Sequence, residues 1–185
     1  MRVISGKSRG KKLISLDGDN TRPTLDRVKE ALFSKIQFDI QNSVVLDLFA
    51  GSGALGIEAL SRGAKEVVFC DNVLDAINII KQNVTNTKNL DKSIIINQDY
   101  KKVLENMYKQ NKKFDIIFLD PPYKTNLAIE SLHKIIDKDL LANEGIIIVE
   151  TDDINKEKEI LEIEKVEIFD KKKYGSVWLI FIRKG

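Results

Sequence analysis

Residues 118 to 123 read FLDPPY, in a chain that has only three prolines. Proline fixes φ and has no N–H to donate. A loop of Asp120, Pro121, Pro122 and Tyr123 is therefore stiff and rich in acceptors. The Asp120 carboxylate and the Pro121 carbonyl can converge on an –NH2 group, and Tyr123 offers a face on which a planar base can stack. Such a loop is suited to gripping an exocyclic amine of a nucleobase. That amine is a poor nucleophile, because its lone pair is delocalised into the ring. Two acceptors on its hydrogens favour a pyramidal nitrogen with the lone pair aimed at an electrophile. Positive charge then grows on nitrogen, and Asp120 stabilises it. The alkylated amine is acidic enough to need no strong base. A base inside a duplex must be flipped out, or be unpaired already, to reach such a pocket. Taken alone, Pro-Pro is a turn signal between strand and helix.

The second chemical stretch is VLDLFAGSGALGIEAL. Gly51, Gly53 and Gly56 form G-x-G-x-x-G around Ser52, between an apolar run and a helical one. Glycines there let backbone approach a ligand at a helix N-terminus. Asp71 follows Gly51 by 20 residues at the end of the next apolar run, where a carboxylate can accept ribose hydroxyls. Asp47 precedes the first glycine by four residues. A carboxylate facing the site repels a pyrophosphate but suits an ammonium. S-adenosylmethionine has an α-amino group, a sulfonium and no phosphate. Asp99, after the run SIIIN, can accept from its adenine amine. Phe49, Ala50, Asn72 and Tyr100 flank these residues and join them as cofactor-binding candidates. A tight strand–helix turn without a ligand is the alternative reading.

These residues need a frame that brings them to one edge. SVVLDLFA (43–50), EVVFCD (66–71), SIIIN (93–97), FDIIFLD (114–120) and GIIIVE (145–150) are short, apolar and β-branched, which predicts strands buried on both faces. Segments of helical period separate them. In one, Leu74, Ile77 and Ile80 share a face. The alternation predicts an open α/β sheet with right-handed crossovers. All the candidate residues then lie beyond strand C-termini, where such sheets bind ligands. RPTLDRVKEALFSKI predicts a first helix, with Thr24 as N-cap and Leu25, Val28, Leu32 and Ile36 inward. RVISG and KKLISL predict a small N-terminal hairpin. KVEIFDKKKYGSVWLIFIRKG predicts two strands around a basic turn, the last strand antiparallel in the sheet. The organisation expected is a single domain over 1–185, with the hairpin of 1–20 as an appendage.

The composition narrows the chemistry. His133 is the only histidine and Cys70 the only cysteine. Histidine-dependent hydrolases, internal disulfides and cysteine metal clusters are disfavoured; no metal is expected. No apolar run approaches the ~20 residues of a membrane span. A reducing cytoplasm is the expected setting. The net charge of +2 hides an asymmetry: residues 1–35 carry nine Lys/Arg and four Asp/Glu. A basic arm on a nearly neutral body suggests a polyanion. Lys7, Arg9, Lys11 and Lys12 on the arm, Arg22 and Arg27 around the first helix, and Lys172, Lys173 and Tyr174 in the late turn are the candidate contacts to it, RNA contacts if that polyanion is RNA. Solvated surface is the alternative for the arm and the late turn; Arg22 and Arg27 could instead close over the cofactor or pair with acids on the body. Cys70 and Trp178 read as packing residues. Glu150 ends the fifth run as a candidate pocket wall. A DNA amine methyltransferase, a nucleotide-dependent dehydrogenase and a non-catalytic RNA-binding scaffold stand as competing readings.

LDLFAGSGALGIEALSRGA followed by LDPPY resembles the class I S-adenosylmethionine-dependent methyltransferases that modify exocyclic amines. GKSRGKKL, TRPTLDRVKEALF and KKYG together resemble a narrower group, the bacterial small-subunit ribosomal-RNA guanine-N2 methyltransferases (the RsmD family). The resemblance covers nearly the whole chain. It implies a Rossmann-like, seven-stranded, mostly parallel sheet with an antiparallel last strand. It implies S-adenosyl-L-methionine as cofactor. The substrate it implies is a guanine N2 in 16S rRNA, presented in an assembling small subunit, and a monomer is expected. By similarity Asp47, Gly51, Gly53, Asp71 and Asp99 would hold the cofactor, and Asp120 to Tyr123 the target base. Leu25 stands where the family often has Thr, and Val177 where a polar residue is common; neither touches the proposed chemistry.

Overall fold

The computed structural model of the protein describes residues 1–15, 23–123 and 125–185, and at 23–25 the backbone alone. Arg22, one of the candidate RNA contacts, and the last residues of the expected hairpin lie outside the described residues. So do the side chains of Thr24 and Leu25.

Helix α1 (Pro23–Lys35) precedes a chain of alternating elements: β1 (Val44–Asp47), α2 (Ala54–Ser61), β2 (Glu66–Asp71), α3 (Leu74–Asn86) and β3 (Ser93–Asn97). There follow α4 (Tyr100–Lys109), β4 (Phe114–Leu119), α5 (Leu127–Asp137), β5 (Leu141–Thr151), α6 (Lys156–Leu161), β6 (Val166–Tyr174) and β7 (Val177–Lys184). The strands form one seven-stranded sheet in the order β3-β2-β1-β4-β5-β7-β6. Only β7 runs against its neighbours, slotted between β5 and β6. This is the mostly parallel sheet with an antiparallel last strand that the resemblance implies.

Helices cover both faces. Val28, Leu32 and Ile36 from α1 and its end, Ile57 from α2 and Ile77 from α3 pack on Val45, Val67, Phe69 and Phe118. On the other face Val103 and Leu104 of α4, Leu132 and Ile135 of α5 and Ile160 of α6 pack on Leu46, Val68, Ile117 and Ile147. Strands buried on both faces need apolar residues at every position, which is why β1, β2 and β4 read as continuous runs. The chain moves outward from β1 to β2 and β3, then returns to start β4 on β1's other side. The β1/β4 junction is thus the switch point where open α/β sheets hold ligands. Among the described residues no helix is long and apolar enough to cross a membrane.

Several sequence expectations need correction. β3 is an edge strand, so SIIIN is not buried on both faces: Ile94 is exposed. Leu74 does not share the buried face of Ile77 and Ile80; it is 62% exposed, in the first turn of α3 above the sheet edge. Pro23, not Thr24, marks the start of α1; proline's fixed φ and missing N–H suit the first helical position, so Thr24 lies within the first turn. Lys171 to Tyr174 belong to β6, and only Gly175 and Ser176 turn the chain. Helix α6 is too short to give a periodic signal and is absent from the sequence reading.

Among the described residues the N-terminal hairpin has a single bridge, Arg2 to Lys12, with Val3 N–H to Lys11 O and Leu13 N–H to Met1 O beside it. Bonds within the segment, such as Gly10 N–H to Val3 O, and side chains of the body satisfy further backbone groups. The Ile4 and Ser5 N–H groups donate to Glu58 at 2.8 and 3.0 Å. Ile14 N–H donates to Asn83 Oδ1 at 2.9 Å.

Candidate active site at the switch point of the sheet

The glycine loop begins where β1 ends. Gly51 has φ 53° and Gly53 φ 78°, a region that costs any residue with a Cβ. Gly53 caps α2 and turns the chain rather than walling the cavity. Gly56 serves packing: a Cβ there would lie 2.3 Å from Phe69 Cε1. These are the glycine roles of a nucleotide-binding turn, one for conformation and one for helix–strand approach.

Two carboxylates brace the loop. Asp71 Oδ2 accepts Gly51 N–H and its Oδ1 accepts Val73 N–H, both at 2.9 Å. An ionised carboxylate has about four acceptor positions, so two remain. Asp47 is buried at the end of β1, and its Oδ2 accepts Gly56 N–H at 3.0 Å. Burial pushes its carboxyl up to about 7, against the Gly56 bond and with help from the nearby Asp71 charge. Asp99 is the N-cap of α4, its Oδ1 accepting Lys101 N–H at 2.9 Å. Tyr100 packs its ring on Phe49 at 5.5 Å between centroids and donates its hydroxyl to Glu130.

A cavity of about 640 Å³ opens over these residues. Asp47, Phe49, Ala50, Gly51, Ser52, Asp71, Asn72, Asp99 and Tyr100 line it, as do Asp120, Pro121, Pro122 and Tyr123. The fold therefore gathers both chemical stretches around one space. Val28 and Leu32, read from the sequence only as the inward face of the first helix, complete the wall with Met1, Lys29, Val73 and Ala76, which the sequence did not single out. Asp120 sits one residue beyond β4 and is held by contacts of its own. Tyr123 is 42% exposed, and its hydroxyl donates to Glu150 Oε1 at 2.9 Å. Burial of that hydroxyl and the charges of Glu150 and Asp120 hold the Tyr123 phenol protonated. Cys70, just behind the loop, is pushed up to about 12 by burial, then by the charges of Asp71 and Asp47. It is a core residue.

The cavity's charge is distinctive. Asp47, Asp71, Asp99, Asp120 and Glu150 all line it. Among the described lining residues Lys29 has the one basic side chain, and it is already engaged: its Nζ donates to Arg2 O at 2.6 Å and pairs with Glu58 at 3.4 Å. Burial lowers the Lys29 pKa, opposed by Glu58. Such a wall attracts a cationic ligand and repels a phosphate.

The candidate RNA contacts divide between two edges. Lys7 N–H donates to Ser61 O, and Ser8 bonds both Ser61 and Thr87. Those are the C-terminal ends of α2 and α3, at the sheet edge opposite the glycine loop. Lys7, Arg9 and Lys12 are exposed there or along the hairpin, while Lys11 Nζ donates to Asn86 O. Arg27 is exposed on α1. Lys172 and Lys173 are exposed near the tip of the β6–β7 hairpin, beside half-buried Tyr174. Thr151 pairs with Trp178, which pairs with Lys173, so this tip stands at the cavity's own edge. Lys173 Nζ lies 5.2 Å from the Trp178 ring centroid.

Comparison with known proteins places this arrangement. A family model described as conserved hypothetical protein 95 matches residues 1–183. The chain is 38% identical over 178 residues to the ribosomal RNA small subunit methyltransferase D of Haemophilus influenzae, covering 96% of this chain and 90% of that one. It is 34% identical over 152 residues to the protein of the same name from Escherichia coli K12, covering 82% and 75%. The solved structure of yhhF from Escherichia coli superposes with a TM-score of 0.83 at 30% identity, over 100% of this chain and 97% of that one.

Proposed function

The chain belongs to the ribosomal RNA small subunit methyltransferase D family, and from that premise we propose that it methylates the exocyclic N2 amine of a guanine in 16S rRNA with S-adenosyl-L-methionine as cofactor. We propose further that residues 1–185 act as one methyltransferase domain and as a monomer. Its setting is the cytoplasm, on RNA presented in an assembling small subunit.

The observation that carries the reading is the acid-lined cavity whose one described basic side chain is already paired. Those walls fit a sulfonium and an ammonium and disfavour a dinucleotide. When bound, S-adenosylmethionine supplies a methyl group on a positively charged sulfur. Asp47 would hold the α-ammonium, and Gly51, Ser52 and Gly53 would shape the turn beneath it. The two remaining acceptor positions of Asp71 would take the ribose hydroxyls, with Asn72 beside them. Asp99 would accept from the adenine amine, with Phe49, Ala50 and Tyr100 forming the adjoining wall.

Asp120 and the Pro121 carbonyl would accept the two hydrogens of the target amine and turn its lone pair toward the methyl. Pro122 keeps the loop stiff, and Tyr123 supports the base from its face. As the nitrogen gains charge, the Asp120 carboxylate lowers the barrier without moving. Positioning of the amine supplies much of the remainder. Lys172, Lys173 and Tyr174 would contact RNA at the cavity edge, Lys7, Arg9, Lys11 and Lys12 along the N-terminal segment, and Arg22 and Arg27 are further proposed contacts.

The test is methyl transfer from labelled S-adenosylmethionine by the wild type and Asp120→Ala. Small subunits from cells lacking the protein, free 16S rRNA and matched DNA serve as substrates. Label entering RNA with the wild type, and lost with Asp120→Ala while cofactor affinity holds, is the expected result. Label in DNA would overturn the substrate. Normal turnover by Asp120→Ala would overturn the role of the loop.

A further inference from the structure

A second carboxylate stands beside Asp120. The register of β4 and β5 ends on Leu119 paired with Val149, with Asp120 and Glu150 the next residue on each chain, and the charges of both act on the Tyr123 hydroxyl. Both line the cavity. Glu150 is 9% exposed. Among the described residues its one hydrogen-bond donor is the Tyr123 hydroxyl, on Oε1. Burial raises the Glu150 pKa, opposed by the Tyr123 bond, so its charged form is short of donors; a carboxylate has about four acceptor positions, and a buried acceptor is ordinarily paired. Glu150 therefore keeps unused acceptor capacity at the point where the base-gripping loop ends. It also walls a second recess of about 300 Å³ that Tyr123 shares.

The chemistry of the bases decides what such a pair can read. In guanine the exocyclic amine is adjacent to a second donor, N1–H. In adenine and cytosine the ring nitrogen beside the amine is an acceptor, with its lone pair in the same place. One carboxylate at the amine and another beside it complement guanine. They set a negative group against the lone pair of adenine or cytosine, which is discrimination by repulsion. We infer that Glu150 selects guanine: its carboxylate accepts the N1–H while Asp120 accepts from the amine being methylated. This inference rests on the reading of the site given above. The Tyr123 hydroxyl fixes the carboxylate's direction, and Glu150 in turn fixes the ring on which the base lies.

The test uses small-subunit RNA carrying 2-aminopurine at the modified position, located first with unsubstituted RNA. 2-Aminopurine keeps the reacting amine but presents an N1 lone pair instead of N1–H. The wild type is expected to favour guanine by about 10- to 100-fold in kcat/KM, as for one hydrogen bond to a charged group. Glu150→Gln can still accept from Tyr123, and its amide can donate to an N1 lone pair. It is expected to lose a similar factor on guanine and to narrow or reverse the preference. A wild type that treats the two bases alike would overturn the inference, and that comparison needs no variant. Equal loss on both bases in Glu150→Gln would also overturn it, reducing Glu150 to a support for Tyr123. Failure of the wild type to form N2-methylguanosine on unsubstituted RNA would instead sink the function proposed above.

Discussion

The carboxylate of Asp47 accepts the backbone N–H of Gly56 at 3.0 Å while almost wholly buried. One N–H does not replace the water lost, so burial leaves this carboxyl with a pKa of about 7. Between about pH 4 and about pH 7 the unfolded chain has given up the proton that the folded protein keeps. The folded state binds more protons, so stability contributed by this group falls as pH rises through that window. Asp47→Asn should flatten that fall, measured as melting temperature against pH. A bound ammonium favours the ionised form. Affinity for S-adenosylmethionine should therefore rise about tenfold per pH unit below about pH 7 and level off above. In Asp47→Asn binding should be weak and lose that slope. Titration calorimetry at several pH values decides it.

Gly56→Ala should destabilise the fold by about 1–3 kcal/mol, because its Cβ would overlap the Phe69 ring at 2.3 Å. Chemical denaturation measures this directly. Gly51→Ala should behave differently. Its Cβ would meet open space, so only the positive φ is strained, and the loss should be nearer about 1 kcal/mol.

Glu58 is fully buried and ties four groups together: the Ile4 and Ser5 N–H groups, Arg62 and Lys29. Glu58→Ala removes the anchor of the N-terminal segment and leaves Lys29 buried without its acid. A loss of about 3–5 kcal/mol is expected. Hydrogen exchange of residues 3–13 should quicken more than that of β1 and β4. Uniform loss of protection would instead mean that the segment is not an independent strap.

The basic residues should separate by edge. Neutralising Lys172 and Lys173 should raise KM for RNA, since they stand at the cavity's edge. Neutralising Lys7 and Arg9, at the opposite edge, should reduce the salt dependence of RNA binding by up to about one unit of log–log slope for each phosphate they neutralise in the wild type. An unchanged slope would remove the N-terminal arm from the RNA interface.

How much of this the sequence disclosed depends on the kind of order involved. β1, β2 and β4 were legible because a strand covered on both faces must be apolar throughout. SIIIN has the same composition, yet β3 lies at the sheet edge; composition does not say which strand ends the sheet. Leu74 matched the helical period of Ile77 and Ile80, yet the buried side of α3's first turn is taken by Ala76 and Ile77, and Leu74 is left exposed. The glycine loop and the DPPY loop carry chemistry in their own local spacing, so they could be read before any fold was known. The role of Glu150 depends on strand register. It lies near the end of β5, and only the pairing of Leu119 with Val149 sets it beside Asp120. The pairing of Lys29 with Glu58, which leaves the cavity acidic, likewise needed α1 and α2 to be docked.

The most direct measurement is nucleoside analysis of 16S rRNA from cells lacking the protein, before and after incubation of their small subunits with the purified wild type and S-adenosylmethionine. The expected result is a gain of N2-methylguanosine on incubation over the level before it. A methyl group gained on any other base, or on another atom of guanine, with no gain of N2-methylguanosine, would contradict it.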